Sequence, residues 1–242
     1  MIRLATVILH YGSLVRTRRL HQQLLDADPR RADAILVFDN ASPEPYPEAW
    51  TRASHNLYWA GAFETVMGLL AGQGATHVWF LNNDLCFVPP APFIERANTR
   101  LVRAEKLAGP VGVYSPAVTR NPYHSQMVAR KGGQFSLVRY VDGIAPLVSV
   151  DFWRAAGGID FQGNPYGYGV DVWFSSRARE LGYDCVVDHQ VVVRHAYHST
   201  AREVDGFLLR AAEAEAQYLS VRLGPDYRAE LARMAVDCRD LA

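Results

Sequence analysis

The sequence predicts an α/β fold in which a mostly parallel sheet is flanked by helices. Three observations support this prediction. Apolar runs rich in β-branched residues alternate with helical patterns through the first half of the chain. Each of the first three apolar runs ends in polar or small residues, as strands do at the ligand-binding edge of an open α/β sheet. The 242 residues are 49% hydrophobic, which is enough for one large domain with a full core.

The first half of the chain supplies the regular pattern. The run 78–81 has the β-branched and aromatic content of a buried strand and stops abruptly at two amides and a carboxylate. Leu14, Leu20 and Leu24 stand near helical spacing, with Arg and Gln between them. In chain order, the pattern predicts strands at 4–10, 34–38, 78–81 and 111–118, and helices at 14–25, 60–70 and 93–107.

The second half is less regular. The polar stretch 121–139 predicts a long loop or hairpin, and long loops in compact domains often cover a binding site. Asp151 is predicted to cap a short helix at 152–156, and the segment 163–169 is rich in glycine and aromatic residues. The remaining prediction is a helix at 171–181, strands at 185–187 and 191–193, and helices at 202–223 and 226–240. We assign residues 1–200 to one domain and 201–242 to a C-terminal helical extension packed on it.

Composition limits the classes of function. Lys plus Arg and Asp plus Glu both number 25, so the net charge is zero and nothing indicates a nucleic-acid groove. Cys86, Cys185 and Cys238 are far apart and form no CxxC pair, which favours a reducing compartment over a disulfide framework. No apolar window approaches the roughly 18 residues of a membrane span. We therefore expect a cytoplasmic protein, and contact with the inner face of a membrane stays open.

Several common motifs are missing. The chain has no G-x-x-x-x-G-K-[ST] loop for triphosphates and no G-x-G-x-x-G after the first strand. It also lacks the G-x-S-x-G elbow of serine hydrolases. These absences argue against P-loop kinases, nicotinamide dehydrogenases and serine hydrolases.

Polar side chains follow three predicted strands and are expected to form a ligand crevice. Asp84 offers hard oxygen ligands to Mg²⁺ or Mn²⁺, and such an ion can bridge to a diphosphate. The amides before it can orient sugar or ribose hydroxyls, and Asp39 can accept from a base imide or a ribose hydroxyl. The alternative is that these residues only form turns, where Asn and Asp are common. The three groups are His10-Tyr11-Gly12, Asp39-Asn40 and Asn82-Asn83-Asp84.

Asp171 is the candidate general base. It stands at the start of a predicted helix, directly after a Gly-Tyr-Gly segment, so a rigid element would present its carboxylate beside a flexible loop. The alternative is a helix N-terminal carboxylate that only interacts with the helix dipole. Asp142 and Asp160 are the next candidates for the base.

Two histidines and several aromatic residues are further candidates. His195 and His198 can share a metal on one helical turn, but on an extended segment at most one of them reaches the ion. Tyr166, Tyr168 and Trp153 are candidates for stacking on an acceptor sugar, although core packing is the commoner role for any single aromatic residue.

The order of these motifs resembles that of the GT-A-fold glycosyltransferases, in particular the family-2 inverting enzymes and their rhamnosyltransferase-like members. Its most specific parts are the strand ending in Asp39-Asn40-Ala41-Ser42 and the Asn82-Asn83-Asp84 motif, which is similar to the family's D-x-D type of metal motif. The resemblance covers about residues 3 to 200. The other matching segments are 7–13, 56–61, Gly157-Gly158-Ile159-Asp160, Tyr168-Gly169-Val170-Asp171 and the strand-end residue His195.

The resemblance implies a nucleotide-diphospho-sugar donor linked to UDP, dTDP or GDP, and a saccharide or lipid-linked acceptor of bacterial polysaccharide synthesis. Asp84 would hold Mn²⁺ or Mg²⁺, His195 would bind the same metal or the diphosphate, and Asp171 would deprotonate the acceptor hydroxyl. The donor would be bound by His10, Tyr11, Gly12, Asp39, Asn40, Asn56, Gly61, Asn82 and Asn83.

Some positions depart from the family pattern. Val170 stands where Glu is usual, Trp173 where a second Asp is common, and Tyr58 where Gly is usual. Phe63 and Glu64 replace a typical pair of Asn residues. The thinner acidic cluster keeps open a nucleotide-sugar-binding module without activity. A sugar-nucleotide pyrophosphorylase is a second alternative, but it needs a glycine-rich loop that residues 10–13 do not supply.

Overall fold

The computed structural model describes residues 2–197 and 205–241, which contain a ten-stranded sheet flanked by helices. The strands are β1 Leu4–His10, β2 Ile35–Asp39, β3 Thr51–Arg52, β4 His77–Asn82, β5 Leu85–Phe87, β6 Val111–Val118, β7 Phe135–Val138, β8 Leu147–Ser149, β9 Asp184–His195 and β10 Arg239–Leu241. The α-helices are α1 Leu14–Ala27, α2 Tyr58–Gly72, α3 Ile94–Ala108, α4 Val150–Ala155, α5 Val170–Ser176, α6 Phe207–Leu223 and α7 Tyr227–Val236. None of these helices is both long and apolar enough to cross a bilayer.

The sheet is parallel in its first half and mixed in its second. Its strand order is β10-β7-β9-β6-β8-β4-β1-β2-β3, and β5 pairs with β9 outside this row. β1 runs parallel to both β2 and β4, as predicted, and β6 runs parallel to β9. The rest of the sheet is less parallel than the sequence predicts: β8, for example, is antiparallel to both β4 and β6. Parallel neighbours need a crossover connection, usually a helix, and the chain between β6 and β8 contains no α-helix.

The core holds the strand ends in place. Trp79 and Phe80 on β4 and Tyr114 on β6 are fully buried. Leu20 and Leu24 are the buried leucines of α1, which packs on β1. Complete burial of one such side chain contributes about 1.5–3 kcal/mol to folding. This packing keeps the polar residues that follow β1, β2 and β4 in fixed positions.

β9 is one strand, although the sequence predicts two. Asp188 and His189 form a polar interruption that is typical of a turn, but both are buried within the strand. Asp188 accepts hydrogen bonds from the Tyr114 hydroxyl and the Arg100 guanidinium. The partners come from two other elements, so tertiary contacts compensate the buried charge and keep the strand continuous.

Other boundaries differ because of local hydrogen bonds and sheet pairing. Ser149 caps α4 by accepting from the backbone nitrogen of Phe152 at 3.3 Å, and the predicted cap Asp151 is exposed in the first turn. The stretch 121–139 contains the buried strand β7, to which β10 pairs. The C-terminal region therefore adds a strand as well as helices. The predicted start of its first helix, at 202, lies outside the described residues, and the described part of α6 begins at Phe207.

Candidate active site

A cleft of about 810 Å³ opens at the carboxyl ends of β1, β2 and β4. These three strands are adjacent and parallel, so their polar ends meet at one edge of the sheet. The loop before α5, the start of α5 and the first half of α6 also line the cleft. The predicted site residues that it brings together are Tyr11, Asn40, Asn56, Asn82, Asn83, Asp84, Tyr166, Tyr168, Asp171 and His195.

Asp84 and His195 form the candidate metal pair. They meet because β5 runs antiparallel to the end of β9, with Leu85 opposite His195. Asp84 Oδ1 lies 3.0 Å from His195 Nε2. Within 2–197 and 205–241, no group of three or more His, Cys, Asp or Glu side chains is arranged to hold a metal. One carboxylate and one imidazole fit a cation whose other ligands are diphosphate and water oxygens. His198 lies outside the described residues.

The two amides at the end of β4 differ in what they bind. Asn83 donates from Nδ2 to the Tyr11 carbonyl oxygen at 3.1 Å and to Thr17 Oγ1 at 3.0 Å, so it fastens the end of β4 to the turn after β1. The Oδ1 atom of Asn82 is buried and has no hydrogen-bond donor in the described chain. A buried polar atom without a partner is costly, and a ligand hydroxyl would satisfy it. Asn82 is therefore the better placed of the two to contact a donor.

Asn40 and Asn56 hold the turn that begins α2. Asn40 accepts from the Leu57 backbone nitrogen at 2.8 Å and donates to Asn56 Oδ1 at 2.9 Å and to the Tyr58 carbonyl oxygen at 3.1 Å. Tyr58 has φ +53°, in the left-handed region that favours glycine. The positive φ explains why the family that the sequence resembles usually has glycine at this position. In this chain the two asparagines stabilise the strained turn, and Tyr58 lines the cleft.

Asp171 is held by two backbone N–H groups. Gly143 donates to its Oδ2 atom at 2.5 Å, and Val172 donates to its Oδ1 atom at 2.9 Å. The pKa of Asp171 is raised to about 7, first by burial and then by the neighbouring carboxylate of Asp142, against the lowering effect of the two N–H groups. A carboxyl group with a pKa near neutrality, facing an open cleft, has the property expected of a general base.

The two reserve candidates for the base lie in different places. Asp142 lines the cleft, accepts from Asn121 Nδ2 at 2.6 Å, and has a pKa raised by burial. Asp160 forms an ion pair with Arg222 and accepts a hydrogen bond from the Tyr218 hydroxyl through its backbone oxygen. Asp160 therefore attaches α6 to the loop between α4 and α5 and does not line the cleft.

Five predicted site residues do not line the cleft. Asp39 is fully buried: it accepts from the backbone nitrogens of Ser42 and Tyr46, both at 2.9 Å, and forms an ion pair with Arg52. Its carboxylate thus closes the loop after β2. The buried ring of His10 is bound to the Thr17 hydroxyl and a backbone carbonyl, both at 2.7 Å. The other three are Gly12, Gly61 and Trp153.

Each of these three has a visible structural role. Gly12 donates from its backbone to Ser42 Oγ at 3.1 Å, and Gly61 lies inside α2 against Leu57. Trp153 donates from Nε1 to Glu64 Oε2 at 2.7 Å, and Glu64 also accepts from a backbone nitrogen of the turn after α4. Trp153 is therefore directed at α2 and away from the acceptor position that the sequence suggested for it.

The cleft also contains residues that sequence reasoning did not select for the site. Phe207, Arg210 and Glu215 come from α6, and no local pattern marks them as site residues. Others come from loops after β6 and β9 and from the start of α2, among them Tyr58, Tyr123, His124 and Tyr197. For Tyr58 a signal existed, since it stands at a position where the family pattern has glycine.

Comparison with known proteins gives a fold and distant sequence relatives. No family model matches the chain. Uncharacterized proteins of Mycobacterium tuberculosis and Mycobacterium bovis are 29% identical to it over 187 residues, which cover 75% of this chain and 70% of each of theirs.

Solved structures of glycosyltransferases share the fold. GalNAc-T7, crystallised with UDP, GalNAc and Mn²⁺, superposes with a TM-score of 0.61 at 12% identity, covering 81% of this chain and 43% of that one. The chain thus spans less than half the length of GalNAc-T7. The catalytic domain of Drosophila β1,4-galactosyltransferase 7 with xylobiose superposes with a TM-score of 0.51, and a mutant of it with manganese, UDP-Gal and xylobiose with 0.52. Both are 12% identical and cover 85% of this chain and 75% of theirs. The protein has the GT-A fold.

Proposed function

We propose that the protein is a metal-dependent, inverting glycosyltransferase that moves a sugar from a nucleotide-diphospho-sugar to a hydroxyl of a saccharide or lipid-linked acceptor. One observation carries the proposal. A single cleft of a GT-A fold contains the Asp84–His195 pair and a carboxylate, Asp171, whose pKa lies near neutrality. A metal-dependent inverting transfer uses a cation to stabilise the leaving diphosphate and a base to deprotonate the acceptor, and this cleft offers residues for both.

In this proposal the donor binds at the strand ends. Asn82 offers, within the described chain, an unpartnered amide oxygen beside Asp84, and the turn held by Asn40 and Asn56 forms the neighbouring wall. Because GalNAc-T7 was crystallised with UDP, a uridine donor is the first to test, followed by dTDP and GDP donors. A divalent cation bound by Asp84 and His195 would offset the negative charge that develops on the departing diphosphate.

In this proposal the acceptor binds beside Asp171. The ionised carboxylate takes the proton of the attacking hydroxyl as that oxygen approaches the anomeric carbon from the face opposite the diphosphate. The N–H groups of Gly143 and Val172 keep the carboxylate in one orientation and stabilise its charged form. Attack from the opposite face inverts the configuration at the anomeric carbon.

The test is a thermal-shift screen of UDP-, dTDP-, GDP- and CMP-sugars with Mn²⁺, Mg²⁺ or a chelator, because a ligand that binds only the native state raises the melting temperature. The best donor is then incubated with methyl glycosides, and NMR reports product formation and the anomeric configuration. We expect metal-dependent binding and an inverted product. A retained configuration, or transfer at full rate in the chelator, contradicts the proposal. Donor binding without transfer to any acceptor would favour an inactive binding module, and pyrophosphate-dependent breakdown of the donor a pyrophosphorylase.

A further inference from the structure

Two residues of one ridge of α6 line the cleft. Phe207, Ala211, Glu215 and Leu219 recur every four residues, which places them on one side of the helix. Ala211 and Leu219 are buried, and Phe207 and Glu215 line the cleft. The two cleft residues stand about 12 Å apart along the helix axis, from the rise of 1.5 Å per residue.

Glu215 is a carboxylate without a partner among the described residues. It forms no hydrogen bond or ion pair with them, although it is partly buried. Burial raises its pKa, and the charge of Arg228 offsets part of that effect. A partly buried carboxylate that no protein group binds is unfavourable unless a ligand donates to it.

Glu215 contacts the residue that precedes α5, the helix that carries the candidate base. It packs on Gly169, the residue before α5, where an added Cβ would come within 3.1 Å of Glu215 Cγ. The negative charge of Glu215 is one of the smaller causes that raise the pKa of Asp171, after burial and the charge of Asp142. Val170 is buried and gives Asp171 no acidic neighbour in α5, so Glu215 supplies one from α6.

Phe207 belongs to a group of four aromatic rings. Its ring centroid lies 5.5 Å from that of Tyr166, 6.2 Å from that of Tyr58 and 6.3 Å from that of Tyr168. All four residues line the cleft. Such rings offer apolar faces to the C–H face of a sugar, and the tyrosine hydroxyls add polar contacts at the edge.

We propose that this ridge of α6 is the acceptor-binding wall, and that Glu215 accepts a hydrogen bond from an acceptor hydroxyl adjacent to the one that Asp171 deprotonates. Phe207 and its tyrosine neighbours then contact the apolar face of the same saccharide. The inference rests on the proposed function and specifies the acceptor as a sugar with adjacent hydroxyls instead of an isolated alcohol. It makes Glu215 and Phe207 specificity-determining residues.

The test measures acceptor binding and not transfer. Saturation-transfer NMR is recorded with methyl glycosides of glucose, galactose, mannose, rhamnose and N-acetylglucosamine, on the full chain with UDP and Mn²⁺. We expect Glu215→Ala to weaken glycoside binding at least about tenfold, the factor for losing one hydrogen bond to a charged group, and Glu215→Gln to restore part of it. Phe207→Ala should also weaken binding, because it removes an apolar ring face that contacts the sugar. The matched controls are Glu213→Ala and Leu209→Ala, exposed residues of α6 that do not line the cleft.

Deoxy analogues of the best glycoside identify the hydroxyl. The analogue that lacks it should bind the wild type more weakly but bind Glu215→Ala as the parent glycoside does. Equal glycoside binding by Glu215→Ala and the wild type, or no glycoside signal from the wild type, overturns the inference. Failure of the proposed function would be seen in the other assays, where no nucleotide sugar would bind or be transferred. Melting curves with UDP verify that the variants fold.

Discussion

The Oδ2 atom of Asp171 lies 2.5 Å from the backbone nitrogen of Gly143, and position 143 has no space for a side chain. A Cβ there would come within 2.8 Å of the Trp59 ring and 3.0 Å of the same carboxylate oxygen. The hydrogen bond from Gly143 to Asp171 therefore joins the loop after β7 to the start of α5, next to the Trp59 ring. This contact fixes the orientation of the candidate base.

Gly143→Ala should displace the base without removing it. The added methyl group must push Trp59 or the Asp171 carboxylate aside, and small displacements of a catalytic group cost up to about 10²-fold in rate. We expect kcat to fall at least about tenfold while the donor Kd changes little, the pattern of an interaction made mainly in the transition state. Steady-state kinetics and donor titration measure the two quantities. Gly68→Ala is the control, because nothing lies within 4 Å of a Cβ there.

Asp171→Asn removes the base and keeps the shape of the side chain. Loss of a general base typically costs about 10²–10⁴-fold in rate, so kcat should fall at least about 10²-fold with the donor Kd nearly unchanged. Asp151→Asn, an exposed change at the start of α4, should leave both constants as they are. If the Asp171→Asn enzyme transfers sugar within a few-fold of wild type, Asp171 only stabilises the helix start. Asp142 is then the next carboxylate to test, since it lines the same cleft.

The raised pKa of Asp171 predicts two opposite pH dependences. Activity needs the ionised carboxylate, so kcat/KM for the acceptor should fall about tenfold per pH unit below about pH 7. The contribution of Asp171 to stability should instead be largest at low pH. Between about pH 4 and pH 7 the folded protein keeps a proton on Asp171 that the unfolded chain has lost, so its contribution to stability decreases as pH rises.

The stability part is measured as the difference in melting temperature between Asp171→Asn and wild type, without donor or metal. We expect the melting temperature of the variant to rise relative to that of wild type between about pH 4.5 and about pH 7.5, limits chosen to bracket the titration. A difference that stays constant across this interval would mean that Asp171 ionises at its ordinary pKa.

Asp84→Ala should weaken donor binding in Mn²⁺, and a chelator should weaken binding to the wild type in the same way. The reason is that a cation held by the Asp84 carboxylate and the His195 imidazole would join the protein to the diphosphate. Isothermal titration measures the affinities. The chelator should have no further effect on the Asp84→Ala variant, because both changes remove the same ion. Equal donor affinity of wild type with and without chelator contradicts the prediction.

The local sequence pattern was sufficient to predict the bounds of several strands and helices. The predicted bounds of β1 and β6 are those observed, and the helices at 14–25 and 93–107 differ from α1 and α3 by one or two residues at their ends. Apolar spacing determines such elements, since it fixes which faces can be buried. The same local reasoning failed at β9, where Tyr114 and Arg100 bury a polar residue that is typical of a turn.

The predicted site residues Asn82, Asp84, Asp171 and His195 line one cleft. For Asn82 and Asp84 the reason is that adjacent parallel strands end at one edge of the sheet. Sequence alone therefore determined the fold class and most of the polar residues of the cleft. Tertiary structure alone decided which polar groups remain available to a ligand. The Asp39 carboxylate is bound by Arg52 and two backbone N–H groups, whereas Glu215 has no such partner in the described chain. It also brought α6 to the base, through contacts between residues so far apart in the chain that no local pattern records them.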